Sequence, residues 1–315
     1  MGPASSKIIV VLGPTSTGKT SLAIKLCQEF NGEIVSADSR QVYKFMDIGT
    51  GKLPSDPNLK VVKGDGFWDQ DGIKIRAYDL ALPTANFTVV DYARVAKEET
   101  ESIIRRGKVP FLVGGTGFYI DVLLGRSPVS NISPDWKFRE SLKDISAEEL
   151  VKKLKLLDPR ALESIDKNNP VRLIRALEIA QAEKSSVTKV FKPLSFPTLF
   201  IGLTASRNIL FRRGDLFVDD LLKRGILQEV EFLIQHGYKN SRPLAGLIYD
   251  QFVKFSVGET TLEESLERAK FDTHAYIRRQ LTWFNRNTDV TWFNIEKDNL
   301  CASVKSHIQS FLDGK

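Results

Sequence analysis

Eight consecutive residues, GPTSTGKT from Gly13 to Thr20, follow the apolar run IIVVL and carry the most specific chemical signal in the chain. Gly13, Gly18, Lys19 and Thr20 fill the pattern GxxxxGK[ST], with Pro14, Thr15, Ser16 and Thr17 between them. A strand before such a loop and a helix after it surround an anion with backbone N–H groups. The lysine adds a point charge and the threonine hydroxyl suits Mg²⁺. The loop therefore holds phosphates, whose fate is hydrolysis, phosphoryl transfer or departure as a leaving group. An ordinary P-loop NTPase ends a second strand in a carboxylate that helps hold Mg²⁺. Here the candidate strand VPFLVGGTG ends in glycines and Thr116, and the available carboxylate, Asp38 in SADSRQVY, ends a different strand. Transfer is favoured over hydrolysis, with Asp38 available as a base for an acceptor group.

Strand and helix patterns say what must position these groups. KIIVVLG is a β-branched run closed by glycine, and TSLAIKLCQEF has helical spacing. EIVSADS reads as a short buried strand. VVDYARVAKEETESIIRRGK reads as a polar-faced helix with Arg105, Arg106 and Lys108 at its C-terminal end, where cations suit the helix dipole. VPFLVGGTGFY is a third strand running into a glycine-rich turn. This alternation predicts an α/β fold, a P-loop parallel sheet flanked by helices, with the site at the C-terminal ends of the strands. From about Arg126 the texture changes to helix starts without a convincing strand, among them the cap SAEE at Ser146. FPTLFIGLTAS returns to strand character, two helical stretches follow, and VTWFNI is a last strand. The expected division is a P-loop α/β core with C-terminal helices over 1–126 and 190–315, and a helical insertion domain over 127–189.

Composition bounds the partners. Lys and Arg total 45 against 39 Asp and Glu, a net charge of +6, compatible with a nucleic-acid partner and also with acidic small substrates. Cys27 and Cys301 lie far apart, and three histidines show no ligand spacing, so neither a disulfide framework nor a zinc site is indicated. No apolar run approaches the roughly 20 residues that span a bilayer. The opening MGPASSK lacks the apolar stretch of a signal peptide. A cytoplasmic protein without a membrane partner is expected.

With SADSRQVYKFMDIGTGK after the P-loop, the chain resembles the tRNA dimethylallyltransferase (isopentenyltransferase) family. LVGGTGFY, LDPRALESIDKNNPVRLIRALEIA and RRQLTWFNR match further family blocks in the same order, so the resemblance runs from Ile8 to Phe293. It implies that the P-loop, with Mg²⁺ on Thr20, binds the diphosphate of dimethylallyl diphosphate. The isopentenyl carbon, not phosphorus, is then the electrophile, and the phosphates leave. By the same resemblance Asp38 takes the proton from adenosine N6, while Lys19, Thr20 and the loop amides stabilise the leaving diphosphate. Arg213 clamps the diphosphate, with Arg212 next to it as the alternative. Thr116 lies near the substrate adenosine, and Asp38, Ser39, Arg40 and Gln41 lie against the tRNA. In the insertion, Lys137 or Arg139 and the pair Arg172 and Arg175 match tRNA-contacting positions. Arg278, Arg279 and Gln280 match groups that hold the anticodon stem-loop, whereas Trp283 and Phe284 read as core. A monomer is expected.

Four departures from the family pattern stand out. KIRAYDL lacks the histidine of the family's PHH or PHR, Phe217 replaces a second clamp arginine, Ile248 replaces a glycine, and His274 replaces an arginine. Three rival functions compete with this reading. Prenylation of a free adenine nucleotide such as AMP would need neither the insertion nor the basic C-terminal helices. A small-molecule P-loop kinase conflicts with the missing acidic strand end. An RNA-binding module with a decayed site conflicts with intact Gly13, Lys19, Thr20 and Asp38.

Overall fold

A computed structural model describes residues 6–130, 132–182 and 191–314. The chain folds into two compact units. One runs through Ser127 and resumes at Pro193, and the other is Pro128–Lys192. The expected domain boundary at 189 lies outside the described residues.

The larger unit is built on strands β1 (Ile8–Leu12), β2 (Gly32–Ser36), β3 (Val61–Lys63), β4 (Phe67–Gln70), β5 (Ile73–Arg76), β6 (Val109–Gly114), β7 (Thr198–Thr204) and β8 (Val290–Asn294). They form one sheet in the order β3-β4-β5-β2-β6-β1-β7-β8. From β5 to β8 every neighbouring pair is parallel, as the strand–helix alternation requires. The parallel sheet core expected from the sequence is present. The IIVVL run of β1 is buried along its whole length, as a strand covered on both faces must be.

The sequence reading does not include the antiparallel extension β3-β4-β5. Its turn carries a recognisable signal. Asp71 and Gly72 join β4 to β5 with both φ values positive, at 53° and 79°, the geometry for which a two-residue Asp-Gly hairpin is selected. The strands are only three or four residues long, too short for alternation to stand out.

Helices α1 (Lys19–Phe30), α2 (Val89–Arg105) and α3 (Gly117–Leu123) follow β1, β5 and β6. Helix α2 starts in a capping box, Thr88 with Asp91. After β7 come α7 (Arg207–Lys223), α8 (Ile226–Gln235), α9 (Leu247–Ser256) and α10 (Leu262–Phe284), and α11 (Leu300–Asp313) closes the chain. Helix α10 also opens on a capping box, Thr261 with Glu264. The sequence reading identifies neither α9 nor α11. Val304 and Ile308 of α11 complete the core that packs α1 against β1, β2, β6 and β7.

The smaller unit is helical among its described residues: α4 (Trp136–Leu142), α5 (Ala147–Leu157), a 3-10 turn over Pro159–Glu163, and α6 (Pro170–Ala182). The Ser146 hydroxyl caps α5 by accepting from Glu149 N. Leu142, Leu150, Leu154, Leu173, Ile174 and Leu177 form a core of its own. No described helix in either unit is long and apolar enough to cross a membrane.

Candidate active site

The loop after β1 is pinned from within and from outside. Thr17 Oγ1 and Lys19 Nζ both donate to the Pro14 carbonyl, at 2.8 and 2.7 Å. From outside, Gln280 Oε1 on α10 accepts from Thr15 N at 2.9 Å. Arg213 Nε on α7 donates to the Ser16 carbonyl at 2.7 Å. Gly13, with φ at 149°, cannot be replaced freely, because a Cβ there would lie 2.5 Å from the Leu203 carbonyl oxygen of β7. Gly18 takes the left-handed conformation as the N-cap of α1, and Thr20 stands in that helix's first turn.

Facing the loop are the ends of β2 and β6. The paired glycines at the end of β6 let these strands close: a Cβ on Gly114 would stand 2.1 Å from the Ala37 carbonyl oxygen, and one on Gly115 2.3 Å from Gln280 Nε2. Thr116 N donates to the Ala37 carbonyl at 3.1 Å, and Thr116 Oγ1 accepts from Ser39 N at 3.0 Å. Gln280 Nε2 donates to the Gly115 carbonyl at 2.9 Å. One buried amide side chain, 4% exposed, thus ties the phosphate loop to the β6 turn. Asp38 Oδ1 accepts from Arg40 N at 2.9 Å, fixing the carboxylate at its strand end. Gln41 serves the same segment, accepting from Ser36 Oγ at 2.7 Å and donating to the Thr50 carbonyl at 3.1 Å.

Electrostatics separate the two facing groups. Burial pushes the Asp38 carboxyl above its ordinary value. Backbone N–H groups of Arg40 and Gln41 and the Lys19 and Arg40 charges offset this only in part. Burial likewise lowers Lys19 to about 8, against the opposing pull of Asp38. The result is a carboxylate with raised proton affinity beside a cationic anion cradle, the pairing that acid–base and leaving-group chemistry use. Ser16 Oγ and Arg40 Nη1 are buried without a hydrogen-bond partner among the described residues, so both are donors for a ligand's acceptors.

Tyrosines line the wall around Asp38, and the sequence reading does not single them out. Tyr276 hydrogen-bonds Thr116 and lies four residues before Gln280, so one face of α10 supplies both. Tyr43 and Tyr249 border Arg40. Tyr119 stacks on Tyr92 at 4.0 Å between centroids. Burial raises Tyr43, Tyr119, Tyr249 and Tyr276 above the ordinary phenol value, so they stay neutral at physiological pH. The available signal is a tyrosine inside four conspicuous blocks: RQVY, GTGFY, GLIYD and HAYIRRQ.

The segment from Asp38 to Lys52 rests on polar groups that the sequence also leaves unmarked. The Glu229 carboxylate accepts from Asp47 N at 2.8 Å, Ile48 N at 2.7 Å, Gly49 N at 3.2 Å and Tyr249 OH at 2.6 Å. Buried Lys52 pairs with Asp47 at 2.8 Å and with Asp79, whose other oxygen accepts from Trp68 Nε1 at 2.6 Å.

The arginines singled out in the sequence divide into two groups. Arg172, Arg213, Arg278 and Arg279 are exposed, as are Lys137 and Arg212. Arg278 lies over the Phe211 ring and Arg279 over the Tyr276 ring. In the helical unit, Arg139 and Arg175 are instead committed to Glu178, a side chain 2% exposed. Burial alone would raise the Glu178 carboxyl, but bonds from Arg139 and Arg175 hold it below the usual range. Gln280 is likewise no surface group, since both ends of its amide are spent on the two loops. Phe284 is core, and Trp283 Nε1 donates to Asp121 at 2.8 Å. The departures also have structural roles. Arg76 of β5 bonds Glu33 and Glu99, His274 Nε2 pairs with Asp215 at 2.7 Å, and Ile248 is buried in α9. Phe217 comes close to Gly51, which has a positive φ of 68°.

Comparison with known proteins agrees along the whole length. The model of a family described as IPP transferase matches residues 41–287, and one described as Isopentenyl transferase matches residues 6–64. The tRNA dimethylallyltransferase of Bacillus cytotoxicus is 34% identical, over 98% of this chain and 96% of that protein. Among solved structures, the tRNA isopentenylpyrophosphate transferase of Bacillus halodurans superposes with a TM-score of 0.72 at 31% identity, covering 98% of both chains. A eukaryotic dimethylallyltransferase, described as acting on tRNA, superposes with a TM-score of 0.77 at 26% identity, covering 99% of this chain and 80% of that one.

Proposed function

The chain belongs to the IPP transferase family, and from that premise we propose that it transfers a dimethylallyl group from dimethylallyl diphosphate to N6 of an adenosine in the tRNA anticodon loop. The observation that carries the reading is the facing pair, an anion cradle with Lys19 on one side and a carboxylate of raised proton affinity, Asp38, on the other.

The P-loop amides and Lys19 hold the diphosphate, and Arg213, already bonded to the loop, closes over it. N6 attacks the allylic carbon as the bond from that carbon to the diphosphate oxygen breaks. The pair of electrons leaves with the diphosphate, and the N6 proton passes to Asp38. An exocyclic amine is a poor nucleophile, so a base whose proton affinity is raised by burial contributes directly. Charge growing on the leaving oxygens is met by donors already in place. Thr116 and Tyr276 stand beside Asp38 to orient the base, and Arg40, with a free donor, reaches the nucleotide. Exposed Lys137, Arg172, Arg278 and Arg279 supply phosphate contacts.

The site also suits Mg²⁺. Thr20 offers a hard hydroxyl ligand, and no described cluster of three His, Cys, Asp or Glu could hold a metal without the substrate. Thr20 would hold the ion, which would supply positive charge to the leaving group. The reading is for a monomer that acts on tRNA in the cytoplasm.

The test is incubation with labelled dimethylallyl diphosphate and either bulk tRNA or AMP, followed by nucleoside analysis. Label in N6-dimethylallyladenosine from tRNA is expected. Label in AMP alone would overturn the RNA assignment, and label in neither would overturn the activity.

A further inference from the structure

Phe45 has a φ of 67°. A bulky residue in the left-handed region is a true outlier that persists only when something compensates for the strain. Burial is not the compensation, because the side chain is 41% exposed. Its ring meets two other rings at the surface, and one of these stacks on a third. Phe45 stacks near-parallel on Tyr238, at 6.1 Å and 20°, and tilts against Phe232 at 5.5 Å. Phe232, itself 38% exposed, stacks on His236 at 3.9 Å. The Glu229 carboxylate holds Asp47 N and Ile48 N just beyond Phe45, so the strained residue is clamped in place.

Lys44 and Lys239 adjoin Phe45 and Tyr238 in sequence, and Arg242 lies three residues further on. None of the three forms an ion pair with a described carboxylate, and Lys239 and Arg242 are exposed. Exposed aromatic faces beside unpaired cations are the means by which proteins bind single-stranded nucleic acid: bases stack on the rings while the cations follow the backbone. A protein partner's apolar side chains would give the free cations nothing to pair with.

The cluster is also within reach of the chemistry. Phe45 lies seven positions after Asp38, at most about 25 Å of extended chain. The Arg242 charge acts on Tyr43 and on Tyr119, and Tyr119 also feels Asp38.

We propose that Phe45, Phe232 and Tyr238, with Lys44, Lys239 and Arg242, form a stacking platform for an unpaired nucleotide of the substrate RNA, next to the adenosine presented to Asp38. The proposal rests on the RNA reading above. It makes Phe45 a determinant of RNA affinity and loop-sequence preference, without a part in donor binding or in the chemical step.

Phe45→Gly is an informative variant because glycine accepts the left-handed backbone at no steric cost. Its melting temperature should equal or exceed that of the wild type. KM for an anticodon stem-loop transcript should rise about tenfold, the loss of one base stack. KM for dimethylallyl diphosphate and the single-turnover rate at saturating RNA should not change. Lys239→Ala with Arg242→Ala should raise KM for RNA and flatten its salt dependence. The two readings fail separately. A wild-type enzyme that modifies no RNA would remove the RNA reading. An active wild type with an unchanged KM for RNA in the folded Phe45→Gly variant would overturn the platform.

Discussion

The phosphate cradle is eight consecutive residues, whereas the wall opposite it is drawn from Asp38–Tyr43, Gly115–Tyr119, Arg242, Tyr249 and Tyr276. The cradle binds mainly through backbone, so its requirements are met by glycines, one lysine and one hydroxyl at fixed spacing. The wall must recognise a base and take a proton, so it needs side chains of several kinds that no short segment can supply. Gln280 joins the two by bonding Thr15 N on one side and the Gly115 carbonyl on the other. Binding of the leaving group and activation of the acceptor are therefore separable in the molecule, and substitutions should separate them.

The largest separation is expected from Asp38→Asn. The shape and most hydrogen bonds survive while the proton acceptor is lost, so the single-turnover rate should fall about 10²–10⁴-fold with little change in either substrate's affinity. Were Asp38 a turn cap alone, stability would drop by about 1 kcal/mol and turnover would persist, which a melting curve run beside the kinetics would reveal. Lys19→Ala acts on the other side. Loss of a charge-assisted bond worth about 1.5–3 kcal/mol should weaken the donor about 10- to 150-fold, readable by calorimetry with dimethylallyl diphosphate.

The same pair sets a pH dependence whose sign is fixed. Lys19 loses its proton near pH 8 in the free enzyme, so kcat/KM for the donor should fall as pH rises through 8. Asp38, held above the ordinary carboxylate value by burial, should place the acidic limb above the range of an ordinary carboxylate. Stability of the unliganded protein should run the other way on the alkaline side. Between about 8 and the ordinary lysine value of 10.5 the unfolded chain binds more protons than the folded one, so Lys19 makes the protein more stable as pH rises. A melting series that fell across this window while activity also fell would assign the alkaline limb to unfolding.

The smallest effect distinguishes the arginines of the helical unit. Arg172→Ala should reduce the log–log salt slope of tRNA binding by about 0.7–0.9 and leave the melting curve alone. Arg175→Ala should leave the slope alone and destabilise that unit by about 1–3 kcal/mol, because Glu178 loses a buried partner. Equal behaviour of the two variants would mean that the Glu178 clamp does not set Arg175 apart.

This contrast also explains what the sequence could disclose. The P-loop, Asp38 after its strand, and the paired glycines were legible because each depends on neighbours in sequence. The parallel strands were legible because complete burial writes a continuous apolar run. The hairpin over residues 61–76 left only the Asp-Gly turn as a mark. Glu229 left none, since the backbone amides it holds, those of Asp47, Ile48 and Gly49, lie far away in sequence. Arg139 and Arg175 show the converse. Arg175 stands three residues from Arg172 on a face that suits a phosphate backbone, and only the fold reveals that it and Arg139 are committed to a buried glutamate.

The most direct test of the central claim, that the phosphates held by the loop are a leaving group, is the stoichiometry of the products. With dimethylallyl diphosphate and tRNA, the account expects one intact diphosphate released for each N6-dimethylallyladenosine formed, and no release without RNA. Orthophosphate in its place, or diphosphate released without alkylated adenosine, would contradict it.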